Sequence, residues 1–155
     1  MRTFYKILAF FIALEVVIQA TAIAWGLFGF GVWIDEGNTF SKAQLDCRDC
    51  PWNFTEERGF MIHGINGFMI IPLASLIFLI VSFFAKIPKG VWWAFAVFVL
   101  VMLQSQVLPG LARDVNPAFG ALHGLNALVL FTVAVMAGKR VKSATAQREE
   151  PLVNV

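Results

Sequence analysis

The two histidines of this chain stand in nearly the same local sequence, His63-Gly64-Ile65-Asn66-Gly67-Phe68 and His123-Gly124-Leu125-Asn126-Ala127-Leu128. Both copies lie in stretches without charge. A histidine in hydrocarbon is costly and by default points into a helix bundle, a cavity or a ligand. Two imidazoles at one depth on facing helices offer a metal two nitrogen lone pairs along a single axis, and an iron porphyrin held in this way is a b-type haem. The flanking residues suit a flat macrocycle: Gly64, Gly67, Gly120, Gly124 and Ala127 leave space beside the rings. Asn66 and Asn126 follow their histidines by three residues and share a helical face with them, within reach of a ring edge or a neighbouring helix. A reading without a ligand uses the same residues. Gly64-x-x-Gly67 and Gly120-x-x-x-Gly124 are small-residue patterns that let membrane helices approach closely, and His and Asn can bond across helices.

The only two cysteines form Cys47-Arg48-Asp49-Cys50. Covalent haem attachment needs a histidine after the second cysteine, and Pro51 stands there. Two thiols are too few for a zinc or iron-sulfur site. A structural disulfide, a redox-active pair and free thiols remain open.

These residues must be positioned by membrane helices. Of the 155 residues, 59% are hydrophobic and 14% charged, against roughly 25% charged in an average soluble chain. So few charges cannot cover a soluble fold, and the composition argues against disorder and against a nucleic-acid partner. Residues 7–34 hold one charge, Glu15, and 59–85, 90–112 and 115–138 hold none. A bilayer core needs about 20 helical residues, so each run is long enough to span it. The first run continues to Ile34, longer than a signal-peptide core, and reads as a helix.

The expected fold is all-α, an integral membrane bundle of four helices in up-down-up-down order, with helices at about 7–34, 59–85, 90–110 and 117–138. An outer loop covers 35–58. The transmembrane domain is residues 1–142, and 143–155 form a mobile tail without apolar periodicity. Pro72 is expected to kink the second helix. Eight of the twelve basic residues, from Arg2 and Lys6 to Lys142 and Arg148, fall on the side that holds both termini, so the positive-inside rule makes that side cytoplasmic. Both histidine-bearing helices then enter from outside, His63 four residues after Gly59 and His123 six after Pro117, which puts the rings at similar depth in the outer leaflet. Trp33, Trp52, Trp92 and Trp93 lie near the expected boundaries, as an aromatic belt would.

Arg58 and Arg113 each precede a histidine-bearing helix, where they can pair with haem propionates or anchor the interface. Glu15 and Gln19 share a face of the first helix, placed either for a proton or quinone path or for an interhelical hydrogen bond; Gln104 and Gln106 of the third helix admit the same two readings.

The stretch Gln106-Val107-Leu108-Pro109-Gly110-Leu111, followed by Ala121-Leu122-His123-Gly124-Leu125-Asn126-Ala127-Leu128-Val129-Leu130-Phe131, resembles the third and fourth helices of a bacterial family of four-helix membrane proteins. It also resembles one half of haem A synthase, in which a histidine on the second and one on the fourth helix of each half can hold haem and an outer loop carries a cysteine pair. The resemblance covers roughly residues 5–140. It implies that His63 and His123 are haem ligands, that Cys47 and Cys50 match the loop pair, and that the chain lies in a bacterial cytoplasmic membrane. The synthase pattern calls for a glutamate one turn before the second-helix histidine, where Phe60 stands here, with Glu57 six residues away from His63. That departure speaks against haem A synthesis and leaves haem binding as the expectation.

Three functions follow in order. The first is a b-type haem protein that transfers electrons or carries haem within a membrane assembly, with other subunits or a second copy as partners. The second is a non-redox accessory subunit whose histidines pack helices or bind a pigment. The third is a thiol-disulfide protein using Cys47 and Cys50.

Overall fold

The computed structural model describes residues 1–47 and 50–149, with side chains at all of these except 45–46 and 142–149. The described residues contain no strand. In chain order they form α1 (Arg2–Asp35), α2 (Lys42–Asp46), a 3-10 turn (Thr55–Glu57), α3 (Arg58–Ile65), a π turn (Asn66–Ile70), α4 (Ile71–Ala85), α5 (Gly90–Met102), a second π turn (Leu103–Val107), α6 (Leu108–Asp114) and α7 (Phe119–Glu149).

Four stretches are long and apolar enough to cross a membrane: Arg2–Asp35, Thr55–Ala85, Gly90–Asp114 and Phe119–Val141. Between 17% and 39% of the most apolar part of each is buried. The remainder presents side chains such as Phe28, Phe83 and Leu128 on the surface. A helix that is apolar all round and largely uncovered is suited to lipid, and the chain is consistent with a multi-pass membrane protein.

The helices run past the charge-free stretches that announce them. α1 starts at Arg2 rather than near residue 7, α6 reaches Asp114, and α7 continues to Glu149, past the 142/143 boundary of the expected tail. Charge does not stop a helix, and Ser143 to Glu149 contain neither Gly nor Pro. The last part of the expected tail, 150–155, lies outside the described residues.

Both π turns stand just ahead of a proline, Asn66–Ile70 before Pro72 and Leu103–Val107 before Pro109. A proline inside a helix lacks the N–H that would bond four residues back, and its ring presses on that carbonyl. One wide turn upstream moves the carbonyl aside, so the expected disturbance at Pro72 takes the form of a π turn.

The chain divides into two compact units, one of Met1–Val16 with the chain from Gly67 onward, the other of Val17–Asn66. In the first, α1 offers Tyr5, Leu8, Ala9, Ile12 and Ala13 at three- and four-residue spacing to a core shared with α4, α5 and α7. Small residues recur along these seams (Ala74, Ala94, Ala134, Ala137), and backbones approach closely where side chains are short. Gly138 seats the ring of Phe10, whose nearest carbon would be 2.9 Å from a Cβ placed there. α5 packs against α4 and α7.

A four-residue link, Lys86-Ile87-Pro88-Lys89, joins α4 to α5, with both lysines in left-handed backbone at φ of 50° and 57°. The link is tied down from α1. Arg2 donates to the Lys86 carbonyl at 3.1 Å, and the fully buried Tyr5 hydroxyl donates to the Gly90 carbonyl at 3.0 Å. The Tyr5 ring rests on Phe78, with centroids 4.5 Å apart. Replacing Tyr5 with phenylalanine keeps the packing and removes one buried hydrogen bond. It should lower stability by about 1 kcal/mol, read as an earlier unfolding midpoint of the detergent-solubilised protein.

In the second unit, α1 and the start of α3 meet through glycines. A Cβ at Gly59 would collide with the Ala22 carbonyl oxygen and lie 2.7 Å from the Gly26 nitrogen. Gly26 in turn faces the Phe60 ring at 3.0 Å, and Gly29 faces the Glu56 side chain. The row Ala22, Gly26, Gly29 therefore forms a shallow groove that receives Glu56, Gly59 and Phe60.

Candidate functional site

His63 lies in the last turn of α3, and its Nδ1 is 3.1 Å from the Gln19 carbonyl oxygen of α1. A carbonyl oxygen only accepts, so Nδ1 carries the proton and donates it. The same bond makes Nε2 the basic nitrogen of the ring. Metal-ligating histidines are commonly oriented in this way, by a backbone carbonyl on the second nitrogen. The neighbouring Gly64 has space beside it, since a Cβ there would meet nothing within 4 Å. The Gln19 side-chain oxygen is buried with no hydrogen-bond partner among the described residues. Asn66, three residues after His63, is buried and opens the first π turn.

In the other unit, His123 is half-buried in α7 with its Nδ1 shielded from solvent. Gly120 and Gly124 on either side of it again open onto space, with nothing within 4 Å of a Cβ at either position. Asn126 makes the neighbouring-helix contact of the two expected for it. Its Nδ2 donates to the Leu100 carbonyl at 3.0 Å and to Gln104 Oε1 at 2.6 Å. Leu100 lies just upstream of the second π turn and Gln104 within it, where helical hydrogen bonding changes register and a side-chain donor fits. Gln104 thus takes part in an interhelical hydrogen bond. Gln106, largely exposed, donates to Ser105 Oγ at 3.2 Å, while Ser105 donates to the Val101 carbonyl at 2.9 Å. Asn126→Ala would leave the half-buried Gln104 Oε1 without this donor and should cost about 1 kcal/mol, measured by the unfolding midpoint of the solubilised protein.

Glu15 is buried in the first unit. The buried serines there are satisfied within their own helix, Ser75 by the Pro72 carbonyl at 2.8 Å and Ser82 by the Leu79 carbonyl at 2.6 Å. Arg113 is exposed and forms an ion pair with Asp114, Nε to Oδ1 at 3.0 Å, and Arg58 is exposed at the start of α3.

Cys47 and Cys50 form a disulfide, with an S–S distance of 2.06 Å. The loop that carries it is built. Ser41 and Gln44 make a reciprocal capping box at α2, Gln44 Nε2 donates to Asn53 Oδ1 at 3.1 Å, and the Asn53 backbone N–H donates to Glu57 Oε2 at 2.7 Å. Beneath this chain of bonds lies a cavity of about 420 Å³, lined by Leu27, Phe30, Cys47, Trp52, Glu57 and Phe60 among others. Ser41-x-x-Gln44 was a readable helix-start signal; the links through Asn53 and Glu57 and the glycine groove have no counterpart in local sequence.

Among the described residues no three His, Cys, Asp or Glu side chains gather as metal ligands. A porphyrin supplies its own ring nitrogens and asks the protein for axial ligands alone. His63, with its orientation fixed and a glycine beside it, fits that requirement on α3; His123, between Gly120 and Gly124, fits it on α7. No protein-family model matches this chain, and no curated protein or solved structure matches it either.

Proposed function

We propose that this chain is a b-type haem-binding membrane protein, in which His63 supplies one axial imidazole and His123, in the repeated sequence, supplies the other. The observation that carries the reading is the Nδ1–H of His63 on the Gln19 carbonyl within an apolar span, because a proton on Nδ1 makes Nε2 the nitrogen through which the ring would hold the iron. The open spaces at Gly64, Gly120 and Gly124 and the buried oxygen of Gln19 support it. When bound, the haem would supply one-electron chemistry, and the chain would orient it and exclude water. The fold in this reading is an up-down-up-down bundle in a bacterial cytoplasmic membrane with both termini inside, and electron transfer or haem carriage within a larger assembly is its role. Arg58 is available for a propionate; Arg113 would have to leave Asp114 to serve one.

The test is the visible spectrum of the protein purified from cells supplied with haem precursor. A Soret band, sharp α and β bands on dithionite reduction, and a pyridine-haemochrome content near one haem per chain are expected. A protein that stays colourless after reconstitution with hemin would overturn the reading. The reading as a cofactor-free accessory subunit rests on Asn126, whose bonds to Leu100 and Gln104 serve helix packing.

A further inference from the structure

We infer that the cavity of the Val17–Asn66 unit is a binding site for the ring of a lipid-soluble quinone, and that the Cys47–Cys50 pair exchanges two electrons with it. The inference is carried by the cavity and does not depend on haem. Its volume, about 420 Å³, is in the range of small-molecule sites, as is its lining of apolar and aromatic side chains with few polar groups. Phe30, Trp52 and Phe60 contribute aromatic side chains to the lining, a composition that suits a flat ligand. Leu27 and Phe30 come from α1 and Phe60 from α3, both parts of stretches apolar enough to lie in a membrane, so a hydrophobic tail has an apolar surface to follow.

The polar part of the lining matches a hydroquinone. Glu57 is held by Asn53, chiefly through Oε2 at 2.7 Å, and Oε1 keeps accepting capacity for a ring hydroxyl. Cys47, one half of the disulfide, is part of the wall. A disulfide is a two-electron, two-proton couple, as a quinone is, which an aromatic ligand without redox chemistry would not exploit. The reaction balances without a further oxidant. In the reduced pair two S–H bonds break and the S–S bond forms; both electrons and both protons pass to the quinone's carbonyl oxygens, which become hydroxyls. A thiol substrate of the loop would then reduce the disulfide by exchange.

The full-length protein in detergent is reduced, freed of reductant and mixed anaerobically with decyl-ubiquinone, whose fully substituted ring gives thiols no position to add. One quinol formed per two thiols lost is expected. Leu27→Trp, which fills the cavity from its rim, should slow quinol formation by roughly tenfold or more. Oxidation of that variant by diamide, a small soluble reagent, should run at the wild-type rate, which separates a blocked site from a damaged loop. A redox-inert dimethoxybenzene with the same decyl tail should inhibit the wild type. No quinol formation by the wild type, or equal quinone rates in wild type and Leu27→Trp, overturns the proposal. If Leu27→Trp also loses its diamide reaction, the dimethoxybenzene decides: inhibition upholds the site and its failure to inhibit refutes it.

Discussion

Gly59→Ala should destabilise the protein by about 3 kcal/mol, at the upper end of what an added methyl does in a tightly packed site. The reason is the identity of the atoms that the methyl would meet. At most helical glycines an added carbon displaces the tip of a flexible side chain or enters open space, but at Gly59 it meets the Ala22 carbonyl and the Gly26 backbone nitrogen of α1. Neither can move unless the helix moves. Gly31→Ala, in the same unit but with nothing within 4 Å of the new carbon, should gain up to about 1 kcal/mol from helix propensity alone. Unfolding of the two variants side by side in one detergent checks the pair. Similar midpoints would mean that α1 and α3 do not meet along the Ala22-Gly26-Gly29 groove.

His63→Ala and His123→Ala should each abolish the low-spin reduced spectrum expected of the haem-bound protein, and the double variant should hold no haem. Loss of one axial ligand leaves a five-coordinate iron, so each single variant should show a broad high-spin spectrum or none. Gln19 cannot be tested by side-chain replacement, because its contact with His63 is through the backbone. His63→Gln keeps polarity without the imidazole and should behave as alanine does. Retention of sharp α and β bands in either single variant would show that the iron takes its ligands elsewhere.

Much of the scaffold was readable because absence of charge is a local property. Stretches of 23 or more uncharged residues, together with a first run broken only by Glu15, announce four spans whatever their neighbours do. The histidine repeat was readable for the same reason. Helix ends were less so, since hydrogen bonding carries α1 back to Arg2 and α7 on to Glu149 through residues that lipid would reject. What local sequence could not announce is which groups would meet. Asn126 had two partners open to it and took Leu100 and Gln104, twenty-six and twenty-two residues earlier in the chain. The glycine groove depends on two helices meeting at Gly59, and the loop cavity on Asn53 reaching Gln44 and Glu57. The π turns needed a proline within two residues and a preceding helix long enough to absorb an extra residue, and the proline alone signals only a disturbance.

The link between α4 and α5 has a consequence for how the molecule sits in a bilayer. Arg2 is bound to Lys86, Lys89 follows three residues on, and Arg140 of α7 lies over the Trp93 ring at 4.7 Å. Four cations thus gather toward one end of the Met1–Val16 and Gly67-onward unit, and the fold holds the side chains of two of them, Arg2 and Arg140. Each cation near an acidic phospholipid surface contributes about 1 kcal/mol, an attraction that fades as ionic strength rises. In a bilayer, an acidic headgroup layer would therefore favour the leaflet that faces this end.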